Sequence, residues 1–181
     1  MALGELASYA AQYRHFEAYV PEFLAQLVLS LPPGPGRDLV AANLADELGD
    51  PVPHTELFEH FATAVGAPRS EPSPAMAHLL RAHEDALVEG GEAGLATFLA
   101  YECQAADVAR AKGEGLRRHY RLDELGARFW DHHGEVDVRH GAWAEAALGA
   151  LPGDKSRCMT FVRRGADAWW AFLDEREALA A

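Results

Sequence analysis

Apolar side chains recur every three or four positions over long stretches of this chain, which is the repeat of one face of an α-helix. The first such stretch runs from about Leu6 to Ser30. Its apolar positions are Leu6, Tyr9, Tyr13, Phe16, Val20, Phe23, Leu24 and Leu27. Because proline cannot donate the backbone hydrogen bond of a helix interior, Pro21 is expected to kink or divide this helix.

Segments rich in proline and glycine separate the later helical stretches from one another. They lie at residues 31–36, 49–53, 66–74, 89–94 and 151–154. The stretches between them predict helices at about 37–48, 54–65, 74–88, 92–112 and 122–148, and a last helix that starts after Asp154 as its N-cap. Seven helices with short connections predict a compact all-α bundle that forms one domain over residues 1–181.

Composition favours the same fold class. The 181 residues include 35 Ala and 22 Leu, but only 10 Val, 4 Thr and no Ile. Alanine and leucine are good helix formers, whereas β-branched residues favour strands. The balance therefore predicts helices throughout the chain.

The charge of the chain limits its partners. It has 16 Lys and Arg residues against 28 Asp and Glu residues, a formal net charge of −12. Such a chain repels nucleic-acid phosphates and anionic lipid, so neither is an expected partner. The longest apolar run, at residues 23–31, is too short to span a membrane, and no export signal is expected. Two cysteines far apart in sequence fit a reducing cytoplasm.

Histidines and acids inside the sixth helix are the first candidate for chemistry. His133, Asp137 and His140 are spaced i, i+4 and i+7, which places them within about 60° of one another around a helix. Two imidazoles and a carboxylate on one face suit a first-row metal ion. His132 is expected about 140° away from Asp137 and is the poorer candidate. The alternative is a solvated polar face.

Three more residues are candidates on weaker grounds. Glu47 and His54 are seven positions apart, but Pro51 and Pro53 interrupt any helix between them. Glu102 lies in the most apolar part of the fifth helix. A carboxylate there either turns to solvent or is paired with a cation or a metal ion.

Together these residues resemble a known family. The chain resembles the heme-oxygenase-like dimetal oxidases in three blocks: NLADELGDPVPHTELFEHFATAVG (43–66), YECQAADVARAKGEGL (101–116) and FWDHHGEVDVRH (129–140). A fourth block, YAAQYRHFEAYVPEFL (9–24), is a weaker match. The resemblance is greatest to the branch of the chlamydial death-domain-associating protein (CADD) and 4-aminobenzoate synthase, and the TenA and PqqC proteins are related. It implies a heme-oxygenase-like bundle whose N-terminal helix is shortened or missing here.

The resemblance also implies a site and an activity. The metal ligands of the family fall on Glu47, His54, Glu102, His133, Asp137 and His140. They imply two iron ions, with manganese an option in one position, and dioxygen as cosubstrate. The implied enzyme is an oxidase or oxygenase of a small, amino-acid-derived metabolite. An external reductant and a homodimer are the other expected partners.

Lys112 is a further candidate that the resemblance singles out. It lies ten positions after Glu102, where the branch has a lysine linked to 4-aminobenzoate formation. That lysine is thought to give the amino group, and a tyrosine of the protein is thought to give the ring. None of Tyr9, Tyr13, Tyr19 and Tyr101 matches the position of that tyrosine. The alternative for Lys112 is a surface lysine near a helix C-terminus.

Other functions remain open at this point. One is a self-sacrificing 4-aminobenzoate synthase-like oxygenase of folate biosynthesis. Another is a metal-free, TenA-like hydrolase with Cys103 as nucleophile, although a small buried cysteine is the commoner case. A third is a non-catalytic protein-interaction module. A ferritin-like site is excluded, because no Glu in the chain has a His three positions later.

Overall fold

Seven α-helices and one π-helical turn account for almost all of the chain that the structure describes. The structure is a computed structural model and describes residues 2–49, 52–152 and 154–180. The helices are α1 (Leu3–Ser30), α2 (Pro35–Leu48), α3 (His54–Ala64), α4 (Pro74–Val88), α5 (Gly91–Gly115), α6 (Glu124–Ala150) and α7 (Lys155–Ala180). The π-helical turn Leu116–Tyr120 extends α5. The predicted all-α bundle of seven helices is confirmed.

The helix starts follow the capping residues of the sequence. Ser73 caps α4, where its hydroxyl accepts from the backbone N–H of Met76 at 3.2 Å. Asp123 caps α6 in the same way through the N–H of Gly126 at 2.8 Å. The predicted breaks at 49–53 and 151–154 include residues 50, 51 and 153, which lie outside the described residues.

Pro21 does not divide the first helix, which was one of the two outcomes expected from the sequence. Helix α1 continues through Pro21 to Ser30. Proline at this position removes one backbone hydrogen bond, the one that the Glu17 carbonyl would otherwise accept. The apolar residues around it, among them Val20, Phe23 and Leu24, are buried on either side of the proline. Their burial outweighs the single lost bond.

Helix α5 lies between α6 and α7, and glycines bring the three backbones close together. A Cβ atom on Gly141 of α6 would lie 2.9 Å from the backbone oxygen of Glu102. A Cβ atom on Gly165 of α7 would lie 2.5 Å from the backbone oxygen of Thr97. Such distances are too short for any side chain. The glycines that interrupt the apolar pattern therefore mark helix contacts and not helix ends.

Aromatic side chains from four helices form the core at one end of the bundle. The ring of Tyr13 in α1 lies 5.5 Å from Phe58 of α3, 5.8 Å from Trp130 of α6 and 5.8 Å from Trp169 of α7, measured between ring centroids. These contacts pack α1 against α3, α6 and α7. None of the helices within the described residues is both long and apolar enough to cross a membrane.

Candidate metal centre

The six residues that the sequence singled out come together inside the bundle, and all are buried. They form two groups of three: Glu47, His54 and His133 in one, and Glu102, Asp137 and His140 in the other. Within each group, the potential ligand atoms all lie within 4.8 Å of one another. Helices α2, α3 and α5 each bring one of these residues, and α6 brings three.

Glu47 joins the two groups. Its Oε2 lies 2.9 Å from Nδ1 of His54, and its Oε1 lies 3.6 Å from Nδ1 of His140, which belongs to the other group. Two donors that bind one ion at right angles, each at about 2.1 Å, are about 3.0 Å apart. The Glu47–His54 distance therefore suits two ligands of one ion. A carboxylate that faces both groups is in the position of a bridge.

Contacts behind the rings orient two of the three histidines. Nδ1 of His133 lies 2.9 Å from the carbonyl oxygen of Phe129 one turn earlier in α6. Nε2 of His140 lies 3.1 Å from a carboxylate oxygen of Asp46. In metal sites, one ring nitrogen donates to a carbonyl or carboxylate and the other binds the ion. These contacts leave Nε2 of His133 and Nδ1 of His140 available to bind a metal ion.

Unpaired polar atoms also point to a bound cation. Among the described residues, His54 Nδ1, Glu102 Oε2, Asp137 Oδ2 and His140 Nδ1 are buried and have no hydrogen-bond partner. His54 Nδ1 is close to Glu47, but without hydrogen-bond geometry. A buried polar atom left unpaired costs about 1–3 kcal/mol. Four such atoms from both groups fit a site built for metal ions, because each could be a ligand.

The charges of the site also favour a bound cation. Burial raises the pKa of Glu102 to about 8, with Asp137 and Glu47 adding to the effect and His140 opposing it. For Glu47, burial also raises the pKa, but the adjacent His54, together with the charges of His133 and His140, outweighs it and the net shift is downward. Carboxylates this close together in a buried site repel one another and need positive charge nearby. Two divalent ions would supply four positive charges against three carboxylates.

Three further residues contact the candidate ligands: Asn43 and Asp46, which the sequence did not single out, and His132, which it ranked as the poorer candidate. Nδ2 of Asn43 donates to Oε1 of Glu102 at 3.1 Å, and Asp46 contacts His140 as described. Nε2 of His132 lies 2.8 Å from Nε2 of His54. Asn43 is one helical turn before Glu47, so its shared face could have been read from the spacing. The contact between His132 and His54 joins α6 to α3, and residue spacing within one helix cannot predict it.

A further missed residue is the buried acid Glu17 in α1. Its Oε1 has no hydrogen-bond partner among the described residues. Burial raises its pKa well above the ordinary range, Glu47 and Asp137 add to the rise, and Lys112 and the hydrogen bond of Tyr13 oppose it. Glu17 lies among the apolar positions of α1, where the helical pattern indicated only core.

Lys112 is directed into the protein. Its Nζ donates a short hydrogen bond to the hydroxyl of Tyr9 and lies 4.3 Å from the ring centroid of Trp130. A cavity of about 240 Å³ connects this amine to the metal centre, since Lys112, His133 and Asp137 all line it. This geometry does not fit the alternative that Lys112 is a surface lysine near a helix C-terminus.

Cys103 differs from the expectation of a small buried cysteine, because its side chain is exposed. Glu102 takes the buried side of α5, and the next residue is turned by about 100°. The Cys103 thiol is still partly buried, and this burial has the largest effect on its pKa, which it raises. A raised pKa reduces the reactive thiolate. Cys103 also lines neither of the two cavities described here.

Comparisons with known proteins identify the family and the fold of the chain. A family model described as iron-containing redox enzyme matches residues 7–173. The 4-aminobenzoate synthase of Nitrosomonas europaea is 30% identical, over 94% of this chain and 77% of that protein. The enzyme of the same name from Chlamydia trachomatis is 27% identical over the same shares of the two chains.

Two solved structures show the same fold. A CADD-like protein of unknown function from Nostoc punctiforme matches with a TM-score of 0.83 and 16% identity, over 97% of this chain and 82% of that one. A domain with a heme oxygenase-like fold from Shewanella denitrificans matches with a TM-score of 0.78 and 15% identity, over 99% and 80%. The chain therefore has the heme oxygenase-like fold and belongs to the family of iron-containing redox enzymes that this family model describes.

Proposed function

We propose that this protein is an oxygen-activating, non-heme dimetal oxidase or oxygenase that acts on a small, amino-acid-derived metabolite. The observation that carries the proposal is the gathering of six buried donors into two adjacent groups of three. Family membership supports iron as the metal. The amino-acid origin of the substrate rests on the resemblance of the sequence blocks.

The chain would hold one ion with Glu47, His54 and His133, and the other with Glu102, Asp137 and His140. Iron ions bound there would supply the electrons that activate dioxygen, and an external reductant would restore them. His140 is kept in orientation by Asp46, and Glu102 by Asn43.

The cavity determines what the centre can act on. His133 and Asp137 belong to its wall, so a molecule inside it lies beside one residue from each group. The remaining wall is largely aromatic and includes Phe129, Trp130 and Trp169. Such a wall excludes water, which protects reactive species and strengthens electrostatic interactions. Its volume of about 240 Å³ suits a small molecule.

The metal site is tested by anaerobic reconstitution with ferrous iron and measurement of metal per chain by plasma mass spectrometry. We expect close to two ions per chain in the wild type. His133→Ala and His140→Ala should each lower the content by at least one ion, because losing a ligand removes much of the affinity. His78→Ala is the matched control, since His78 is exposed on α4. A wild-type content well below one ion per chain would overturn the proposal.

A second candidate is a 4-aminobenzoate synthase-like reaction in which a tyrosine of the chain is consumed. It is favoured by the hydrogen bond between Lys112 and Tyr9, which pairs an amine with a phenol beside the cavity. It is also favoured by the name of the relatives from Nitrosomonas europaea and Chlamydia trachomatis.

Mass spectrometry separates the two candidates. The reduced, iron-loaded chain is exposed to oxygen without any added substrate. Loss of a tyrosine side chain together with released 4-aminobenzoate would support the second candidate, and Tyr9→Phe should then abolish the release. An unmodified chain that consumes oxygen only when a small substrate is present would support the first. The homodimer expected from the sequence is measured by light scattering in the same preparations.

A further inference from the structure

Lysine is rare in this chain, and its two copies lie in opposite surroundings. Of the 16 Lys and Arg residues, only Lys112 and Lys155 are lysine. Lys155 begins α7 and is exposed, and its Nζ donates to the carbonyl oxygen of Leu148 at 2.9 Å. Lys112 lies in the last turn of α5, and its side chain is half-buried against Tyr9 and Trp130. The protein therefore contains a reactive-amine candidate and an exposed comparison in the same molecule.

Aromatic rings and a phenol surround the amine of Lys112. Its Nζ lies 4.8 Å from the ring centroid of Tyr9, 4.9 Å from that of Tyr13 and 4.3 Å from that of Trp130. The Tyr9 hydroxyl accepts its hydrogen bond. Within the part of the chain that the structure describes, no carboxylate is close enough to form an ion pair with it. Glu17 acts on the amine from a greater distance.

Lys112 lines two neighbouring spaces. The inner space is the cavity of about 240 Å³ that reaches His133 and Asp137. The outer space is a groove of about 940 Å³ between the start of α1 and the ends of α5 and α7. Lys112, Tyr9, Trp130 and Leu173 line both. The Lys112 side chain therefore lies at the boundary between the outer groove and the inner cavity.

These surroundings favour the neutral, nucleophilic form of the amine. Burial lowers the pKa of Lys112 to about 7, and the negative charge of Glu17 opposes the shift. Attraction of a cation to the three rings also opposes it, but such contacts are worth only about 0.5–2 kcal/mol each. At neutral pH a large fraction of the amine is then unprotonated. A desolvated lysine of this kind attacks carbonyl carbons.

We propose that Lys112 forms an imine with a small, apolar aldehyde or ketone that enters through the outer groove. The Nζ lone pair forms a bond to the carbonyl carbon and gives a carbinolamine. Two proton transfers then release the carbonyl oxygen as water and leave a carbon–nitrogen double bond. No atom changes its oxidation state overall, so neither a metal ion nor another reactant is required.

Tyr9 is placed to assist this step. Its hydroxyl is hydrogen-bonded to Nζ, so it can pass a proton between nitrogen and the departing oxygen. The substituent of the captured carbonyl compound would occupy the aromatic space next to Trp130. The imine would then hold that substituent on the side of His133 and Asp137. The proposal goes beyond the metal chemistry and does not depend on it.

Reductive trapping tests the proposal on the wild-type chain. The protein is incubated with benzaldehyde and cyanoborohydride at pH 7, which converts an imine to a stable benzylamine, and the labelled peptides are measured by mass spectrometry. Lysine in model peptides has a pKa near 10.4, so about one amine in 2,500 is neutral at pH 7, against about half at a pKa of 7. Allowing for lower access and nucleophilicity, we expect Lys112 to be labelled at least about tenfold faster than Lys155.

The pH dependence and the controls make the test specific. Labelling of Lys112 should reach half its maximum near pH 7. The preference should disappear in denaturing urea and should persist in wild-type protein kept metal-free with a chelator, which separates this result from any failure of the metal site. Lys112→Met should lose the label, and Lys155→Met should keep it on Lys112. Equal labelling of the two lysines in the folded wild type would overturn the proposal.

Discussion

His83 of α4 should make the folded protein sensitive to mild acid. The residue is fully buried, and its ring centroid lies 5.7 Å from Phe16 and 5.4 Å from Phe23. Nδ1 contacts the carbonyl oxygen of Leu79 at 2.9 Å, and Nε2 has no hydrogen-bond partner among the described residues. Burial lowers the pKa of His83 to about 4, against a weaker opposing effect of the Leu79 carbonyl.

The sign and size of the effect follow from the two pKa values. An unfolded histidine has a pKa of about 6.5, so on acidification the unfolded chain binds this proton before the folded chain does. The contribution of His83 to stability is therefore complete above about pH 6.5 and is lost between about pH 6.5 and pH 4. With these values the loss is about 2 kcal/mol at pH 5 and about 3 kcal/mol well below pH 4.

Urea unfolding followed by circular dichroism at pH 7.5 and pH 5 measures the effect. Other groups also titrate in this interval, so the informative quantity is the difference between the wild type and His83→Leu. We expect the wild type to lose about 2 kcal/mol more than this variant between the two pH values. His78→Leu, on the exposed side of α4, should keep the wild-type dependence. Equal pH dependence of the wild type and His83→Leu would refute the assignment.

Three further predictions test the site and the packing. Asp46→Ala should weaken metal binding by about 10–100-fold in a chelator competition, because it removes the acceptor behind His140; unchanged affinity would contradict this. Gly141→Ala should lower the melting temperature through its contact with the Glu102 backbone, whereas Gly149→Ala in the same helix has open space and should gain about 0.5–1 kcal/mol. Phe16→Ala should cost about 3–5 kcal/mol in urea unfolding, and a loss below about 1 kcal/mol would show that the site is not packed as described.

Local periodicity was sufficient where one helix carries several functional residues. The spacing of His133, Asp137 and His140 places them on one face of α6, and the structure has all three on its buried side. Periodicity could not predict whether the Glu102 side chain is buried, because the sequence does not tell whether a lone acid on an apolar helix turns inward. Its burial depends on α6 packing across it.

Contacts between helices account for what the sequence could not give. Glu47 and His54 were connected only by resemblance, because two prolines interrupt the spacing between them. The contact between His132 and His54 joins α6 to α3, and the hydrogen bond from Lys112 to Tyr9 spans 103 positions. Periodicity describes one helix at a time, so residues that meet across the bundle carry no signal in it.

The close approach at Gly141 separates two properties that a redesign would wish to change independently. The spacing of α5 and α6, and with it the separation of Glu102 from Asp137 and His140, is set by backbone against backbone. The size and polarity of the cavity are set by side chains such as Trp169 that take no part in that contact. Substrate preference could therefore diverge through changes in the cavity wall while the distances from Glu102 to Asp137 and His140 stay constant.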